Sequence, residues 1–88
     1  MSVKEEFENL MEKLKVERDE LNLQMHLASM EAKEEFQKAE KKWVHIRAEA
    51  ADIADDTKET SEEFIAKTKI VGEELKEAYL RITQRLSK

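Results

Sequence analysis

A chain of 88 residues has room for one small domain, and its composition limits the folds open to that domain. Charged residues make up 42% of the chain, proline is absent and glycine occurs once, whereas folds with many turns need turn residues. The net charge of −5, without a basic tract, disfavours nucleic-acid binding, and the lack of cysteine excludes disulfides, thiolate catalysis and cysteine metal sites. We therefore expect a single all-α domain over residues 1–88.

Neither a membrane span nor a secretory signal is expected. The longest apolar runs are three residues, against about 20 for a membrane-spanning helix. The first residues, MSVKEEFENL, carry carboxylates where a secretory signal would carry a positive end and an apolar run. The expected location is the cytoplasm.

The first predicted element is one long helix. From Phe7 to Ile53, apolar residues recur at steps of three or four, which is the period of an α-helix. Ser2 followed by Glu5 forms a capping-box pattern, in which each side chain satisfies a free backbone N–H at a helix start. These signals predict a helix over about residues 3–53.

This first helix carries a second apolar stripe, formed by Val16, Leu23, Leu27 and Met30, roughly opposite the main one. A helix that is apolar on two sides has to be covered from two directions or it leaves an apolar patch in water. The alternative is that these are scattered exposed aliphatic residues of no special meaning.

The next predicted element is an acidic turn within ADIADDTKETSEEF, residues 51–64. Asp and Thr are poor in helix interiors, and Thr60 followed by Glu63 forms another capping-box pattern. We therefore expect a turn over about residues 54–60 and a second helix over about residues 61–86. Lys and Arg near the end of that helix suit the negative end of its dipole.

The two predicted helices form a coiled-coil-like helical hairpin. The residues expected to pack between its arms are Phe36, Trp43, Ile46, Ile53, Phe64, Val71, Leu75 and Ile82. An alternative stays open, because Ile53, Ser61 and Phe64 would share one face if the helix continued through the acidic stretch. The chain would then be one continuous helix of about 130 Å in an oligomeric coiled coil.

The hairpin predicts an overhang, because the second helix is too short to cover the first helix before about Ala28. Self-association would cover this overhang, with a dimer favoured, although a trimer or another protein as partner fits as well. The residues expected at the intermolecular surface are Leu10, Leu14, Val16, Leu21, Leu23, Leu27 and Met30.

No catalytic, cofactor-binding or metal residue is predicted. His26 and His45 lack the Glu-x-x-His pattern of di-iron bundles, and no phosphate-binding glycine loop or nucleophile elbow occurs. The strongest cation-binding hypothesis takes four carboxylates of the acidic stretch, Asp52, Asp55, Asp56 and Glu59. They lack the spaced ligands and glycine of an EF-hand loop, so a solvated acidic turn is favoured.

Two segments carry a family resemblance: ERDELNLQMHLASMEAKEEFQKAEKKW and SEEFIAKTKIVGEELKEAYLRI. In their order of a long helix, an acidic hinge and a glycine-containing second helix they resemble short uncharacterised bacterial coiled-coil proteins, some of which are labelled stress-response proteins. The resemblance implies a helical hairpin and no known catalytic residues.

Together these features predict a non-enzymatic helical interaction or scaffold protein that acts through self-association and protein–protein contacts. Two alternatives belong to other classes. One is a peripheral protein that lays an amphipathic helix on a lipid surface, which the acidic net charge disfavours. The other is a holdase-like chaperone that uses exposed apolar overhangs.

Overall fold

A computed structural model describes residues 2–55 and 59–86, and within them the chain is helical with no β-strand. Helix α1 is Val3–Gln24, a 3₁₀ turn covers Met25–Leu27, helix α2 is Met30–Ala54 and helix α3 is Glu62–Leu86. The all-α fold predicted from composition and periodicity is confirmed.

The three helices form an up-down-up bundle in which α3 packs against both α1 and α2. Lys69, early in α3, binds Glu6 at the start of α1, while Arg85, at the end of α3, binds Glu31 at the start of α2. Helix α3 therefore runs parallel to α1 and antiparallel to α2.

The predicted helix over residues 3–53 is wrong in its length. The α-helix is interrupted at residues 25–29, where the chain folds back. The predicted overhang before Ala28 is therefore absent from the described chain. A continuous rod is excluded as well, since the longest dimension of the Cα trace is 44 Å, against about 130 Å for an unbroken helix of this length.

Burial of the main apolar stripe of α1 gives the physical reason for this break. Folding back places Phe7, Leu10, Leu14 and Leu21 in the core, each with 9% or less of its surface exposed. Burying a side chain of this size stabilises a fold by about 1.5–3 kcal/mol. That gain exceeds the net cost of the few helical hydrogen bonds lost at the break, about 0.5–1.5 kcal/mol each.

The connection between α2 and α3 lies where the acidic stretch predicted a turn. Helix α2 ends at Ala54, and α3 begins after Ser61, whose hydroxyl accepts a hydrogen bond from the Phe64 N–H at 3.2 Å. The cap is thus Ser61, one residue after the predicted Thr60. Residues 56–58 of the predicted turn, including Asp56, lie outside the described residues.

Most of the predicted hairpin contacts lie in the core. The buried members of that set are Phe36, Trp43, Ile46, Ile53, Leu75 and Ile82, and Val71 packs against them half-buried. The predicted place of Phe64 between the helices is wrong, since Phe64 is 37% exposed and its neighbour Ile65 is buried instead. The buried face of α3 is rotated from the predicted one, because α3 contacts two helices and its core residues lie between them.

Gly72 of α3 lies close to both neighbouring helices. A Cβ atom added there would lie 2.8 Å from Leu10 Cδ2, closer than real Cβ contacts, and 3.0 Å from Ile46 Cδ1, tighter than most of them. Leu10 belongs to α1 and Ile46 to α2, so Gly72 lies against side chains of both neighbours of α3. Its role is a matter of volume, because Gly72 lies within a regular helix.

Candidate interaction surface

Four of the predicted interface residues remain on the surface of the bundle and form what we call the exposed stripe: Val16, Leu23, Leu27 and Met30. Their exposed fractions are 58%, 73%, 83% and 73%. Three of them, from Leu23 to Met30, lie within eight residues around the break between α1 and α2. The stripe therefore concentrates at one end of the bundle.

The other three predicted interface residues, Leu10, Leu14 and Leu21, are placed differently. They are 9%, 0% and 3% exposed and belong to the core of the same chain. Their assignment to an intermolecular surface is corrected, because the fold-back of α1 gives them partners on α3 and α2. Of the two apolar faces of the predicted first helix, one is therefore buried in the core and the other is exposed.

The junction between α1 and α2 is built from short-range hydrogen bonds. The Ala28 N–H donates to the Met25 carbonyl at 3.1 Å, and the Ser29 hydroxyl accepts from the Ala32 N–H at 3.2 Å, which caps α2. The local sequence predicts this cap only weakly. Position 32 is alanine, so the Glu or Gln that completes a capping box three residues after the serine is missing.

Arg18 marks the boundary between the buried and exposed faces of α1. Its Nε and Nη2 donate hydrogen bonds of 2.6 and 2.7 Å to the Glu40 carboxylate on α2, and its guanidinium carbon lies 5.7 Å from the centre of the Trp43 ring. Hydrogen bonding to Glu40 raises the pKa of Arg18. This pair joins α1 to α2, and its 22-residue separation left no local signal in the sequence.

Two further ion-pair sites fasten α3 to its neighbours. Lys69 Nζ donates to Glu6 Oε2 at 2.9 Å, which lowers the pKa of Glu6 and raises the pKa of Lys69. Arg85 reaches two carboxylates at the start of α2, Glu31 at 2.9 Å and Glu35 at 3.0 Å. Because these pairs are partly exposed, they favour this arrangement of helices with modest energies.

The hydroxyl of Tyr79 lies in the core, where the residue is 1% exposed, and it has no hydrogen-bond partner among the described residues. Burial raises the pKa of this phenol well above its ordinary value, and the nearby Glu40 carboxylate adds to the rise. A phenol held neutral inside the bundle contributes to packing and is poorly placed for proton exchange with a substrate.

A connected row of polar side chains is the arrangement on the surface that most resembles a catalytic site. The Thr68 hydroxyl contacts Glu49 Oε2 at 2.8 Å and the Phe64 carbonyl at 2.9 Å, while His45 Nε2 lies 2.6 Å from Glu49 Oε1. A nucleophilic hydroxyl needs a base such as imidazole beside it, and here the carboxylate stands between the two. The arrangement fits a link between α2 and α3.

The cation-binding hypothesis for the acidic stretch gains no support from the described residues. Asp52 and Asp55 lie at the end of α2, where the Asp55 N–H donates to the Asp52 carbonyl at 3.3 Å. Across the parts of the chain that the structure describes, no group of three or more His, Asp or Glu residues is placed to hold a metal ion. Asp56 lies outside those parts.

No protein-family model, curated protein or solved structure matches this chain. Within the described residues, no helix is both long enough and apolar enough to cross a membrane. The candidate site therefore rests on the geometry of the bundle itself.

Proposed function

We propose that this protein is a non-enzymatic helical interaction protein that associates with a second copy of itself through the exposed stripe. The observation that carries the proposal is the exposure of Val16, Leu23, Leu27 and Met30, at 58–83%, after the bundle has closed its own core. Apolar side chains of this size in water favour association, because a partner removes their surface from water.

A second copy is the simplest partner for this surface. A twofold dimer presents the same patch from both chains, so an apolar stripe needs no complementary design to be covered by its copy. The polar elements of the bundle support a binding role over catalysis. The exposed histidine of the His45–Glu49–Thr68 chain contacts the carboxylate, and the hydroxyl lies on the other side of it.

The compartment and process belong to the same proposal. We propose a cytoplasmic location and the stress-related role that the resemblance to short bacterial coiled-coil proteins implies. Both assignments depend on the sequence, and the association test below is independent of them.

Sedimentation velocity over a range of protein concentrations tests the association. The wild-type chain is expected to form dimers, and the double variant Leu23→Glu with Leu27→Glu is expected to dimerise much more weakly. Both residues are highly exposed, so the variant should keep the helical content and cooperative melting of the wild type. A folded double variant that dimerises like the wild type would remove the stripe from the proposal.

A matched control comes from exposed apolar residues elsewhere on the bundle. Val44 and Ile70 are 65% and 57% exposed, and each lies about 20 Å along its helix from the end that carries Leu23, Leu27 and Met30. The double variant Val44→Glu with Ile70→Glu adds the same charge and removes similar apolar area. It is expected to dimerise like the wild type, and loss of dimer in both variants would indicate a general charge effect instead.

A further inference from the structure

The junction between α1 and α2 breaks a helix without a helix-breaking residue. Residues 25–29 read MHLAS, with no glycine or proline, and no described residue of the chain has a positive φ. Ala28 is extended, with φ −81° and ψ 157°, although alanine has the highest helix propensity of all residues. The break is therefore imposed by the tertiary fold rather than by local backbone chemistry.

The helical phase of the core passes through this junction without interruption. Leu21, Met25, Ala28 and Ala32 follow one another at steps of four, three and four, which keeps them on one face of a continuous helix. Leu21 and Ala32 are buried, while Met25 and Ala28 are half-buried. A straightened junction would thus keep the core faces of α1 and α2 in line.

Few local contacts oppose straightening. The junction is held by the Ser29 cap and by the 3₁₀ hydrogen bond from Ala28 to Met25, whereas a continuous helix would give these residues ordinary helical hydrogen bonds. What keeps the junction bent is the packing of α1 on α3 and α2. Those contacts do not require that α1 belong to the same chain.

We propose that the junction straightens and that two copies of the chain exchange their α1 helices. In this dimer α1 and α2 form one continuous helix, and α1 packs on α3 of the second copy with the contacts seen in the closed chain, including Lys69 with Glu6 and Gly72 beside Leu10. The exchange goes beyond the proposed function, because it uses core contacts and the junction rather than the exposed stripe.

Zero-length cross-linking of Lys69 to Glu6 reports directly on the exchange. A carbodiimide joins an amine to a carboxylate in contact, and these two groups lie 2.9 Å apart. Chains carrying natural nitrogen and chains carrying ¹⁵N are mixed, unfolded, refolded together and cross-linked. Exchange predicts Lys69–Glu6 cross-links between light and heavy chains in the dimer fraction, and cross-links confined to one label would overturn it.

Variants at the junction shift the exchange in opposite directions. Ser29→Ala removes the cap of the closed form and fits a continuous helix, so each junction opens about fivefold more readily. Because two junctions open per dimer, the dimer association constant should rise about twenty-five-fold. Met30→Pro does the reverse, because proline suits the first helical position but breaks a helix interior, and Ser29 before it is already extended. It should abolish the exchanged dimer.

Met30→Ala is the matched control for the proline variant, since it removes the same exposed side chain and leaves the junction free. It should exchange like the wild type. A dimer that survives Met30→Pro and shows cross-links of one label only would overturn the exchange while leaving the exposed stripe in place. Mixed cross-links in a dimer of Leu23→Glu with Leu27→Glu that is as stable as the wild-type dimer would instead uphold the exchange and remove the stripe. Chains that remain monomeric after refolding together would overturn both.

Discussion

The two apolar faces of α1 differ in burial far more than in composition. Leu14 is fully buried, whereas Val16, two residues later, is 58% exposed, and each belongs to a stripe with helical spacing. Periodicity identifies both stripes but does not rank them, because it records angle along one helix and carries no information about neighbours. The position of α3 makes one face core and leaves the other exposed.

The largest expected effect comes from truncating the buried face. Leu14→Ala removes a side chain with no exposed surface and leaves a cavity, so the free energy of unfolding should fall by about 3–5 kcal/mol. Val16→Ala on the exposed face should change it by less than about 0.5 kcal/mol. Urea unfolding at a concentration where the chain is monomeric measures both, and equal losses would contradict the assignment of faces.

A second test places a large side chain at Gly72, where α3 packs against α1 and α2. Gly72→Leu would force the methyl groups of Leu10 and Ile46 apart, and we expect a loss of about 2 kcal/mol despite the better helix propensity of leucine. The matched control is Glu73→Leu, one residue along and exposed, which should be near neutral. Thermal unfolding followed by circular dichroism compares the two variants.

The boundary between the faces can be tested through the Arg18–Glu40 pair. Its side chains are 27% and 28% exposed, so a double-mutant cycle with alanine should give a coupling energy of about 1 kcal/mol. The more exposed pair of Arg85 and Glu31, at 45% and 78%, should give a smaller coupling. The reverse order would show that Arg18 does not fix the edge of the buried face.

The smallest expected effect concerns pH at the start of α1. Lys69 lowers the pKa of Glu6 in the folded chain, so this carboxylate contributes stability at pH values above its unfolded pKa, and the contribution is lost as the pH falls through the folded value. The melting temperature of the wild type should therefore drop more steeply on acidification than that of Glu6→Gln. If the melting temperatures of the two proteins fell equally on acidification, the pairing of Glu6 with Lys69 would be contradicted.

The raised pKa of Lys69 has the opposite sign. The stability it contributes is present below its unfolded pKa and is lost as the pH rises through the folded value. The melting temperature of Lys69→Met should therefore fall less steeply with rising pH than that of the wild type. The pH dependences on the acidic and alkaline sides together test whether Glu6, at the start of α1, pairs with Lys69 of α3.

The sequence predicted the acidic connection better than the earlier break because the two carry different local signals. Around Ser61 several residues disfavour helix interiors, and the cap lies one position from the predicted one. Around Ser29 the flanking residues favour helix, and the serine lacks its capping-box partner. The exposed stripe was found because its spacing is a local property, whereas Arg18 with Glu40 depends on the packing of two helices.

What the sequence by itself determined is the helical class, both apolar stripes of the first helix and the connection before α3, since each follows from short-range propensity and periodicity. The tertiary structure alone decided that α1 folds back, that Gly72 packs against side chains of both other helices, and that Ile65 rather than Phe64 faces the core. These choices depend on how much apolar surface three helices bury together, which no single segment of the chain encodes.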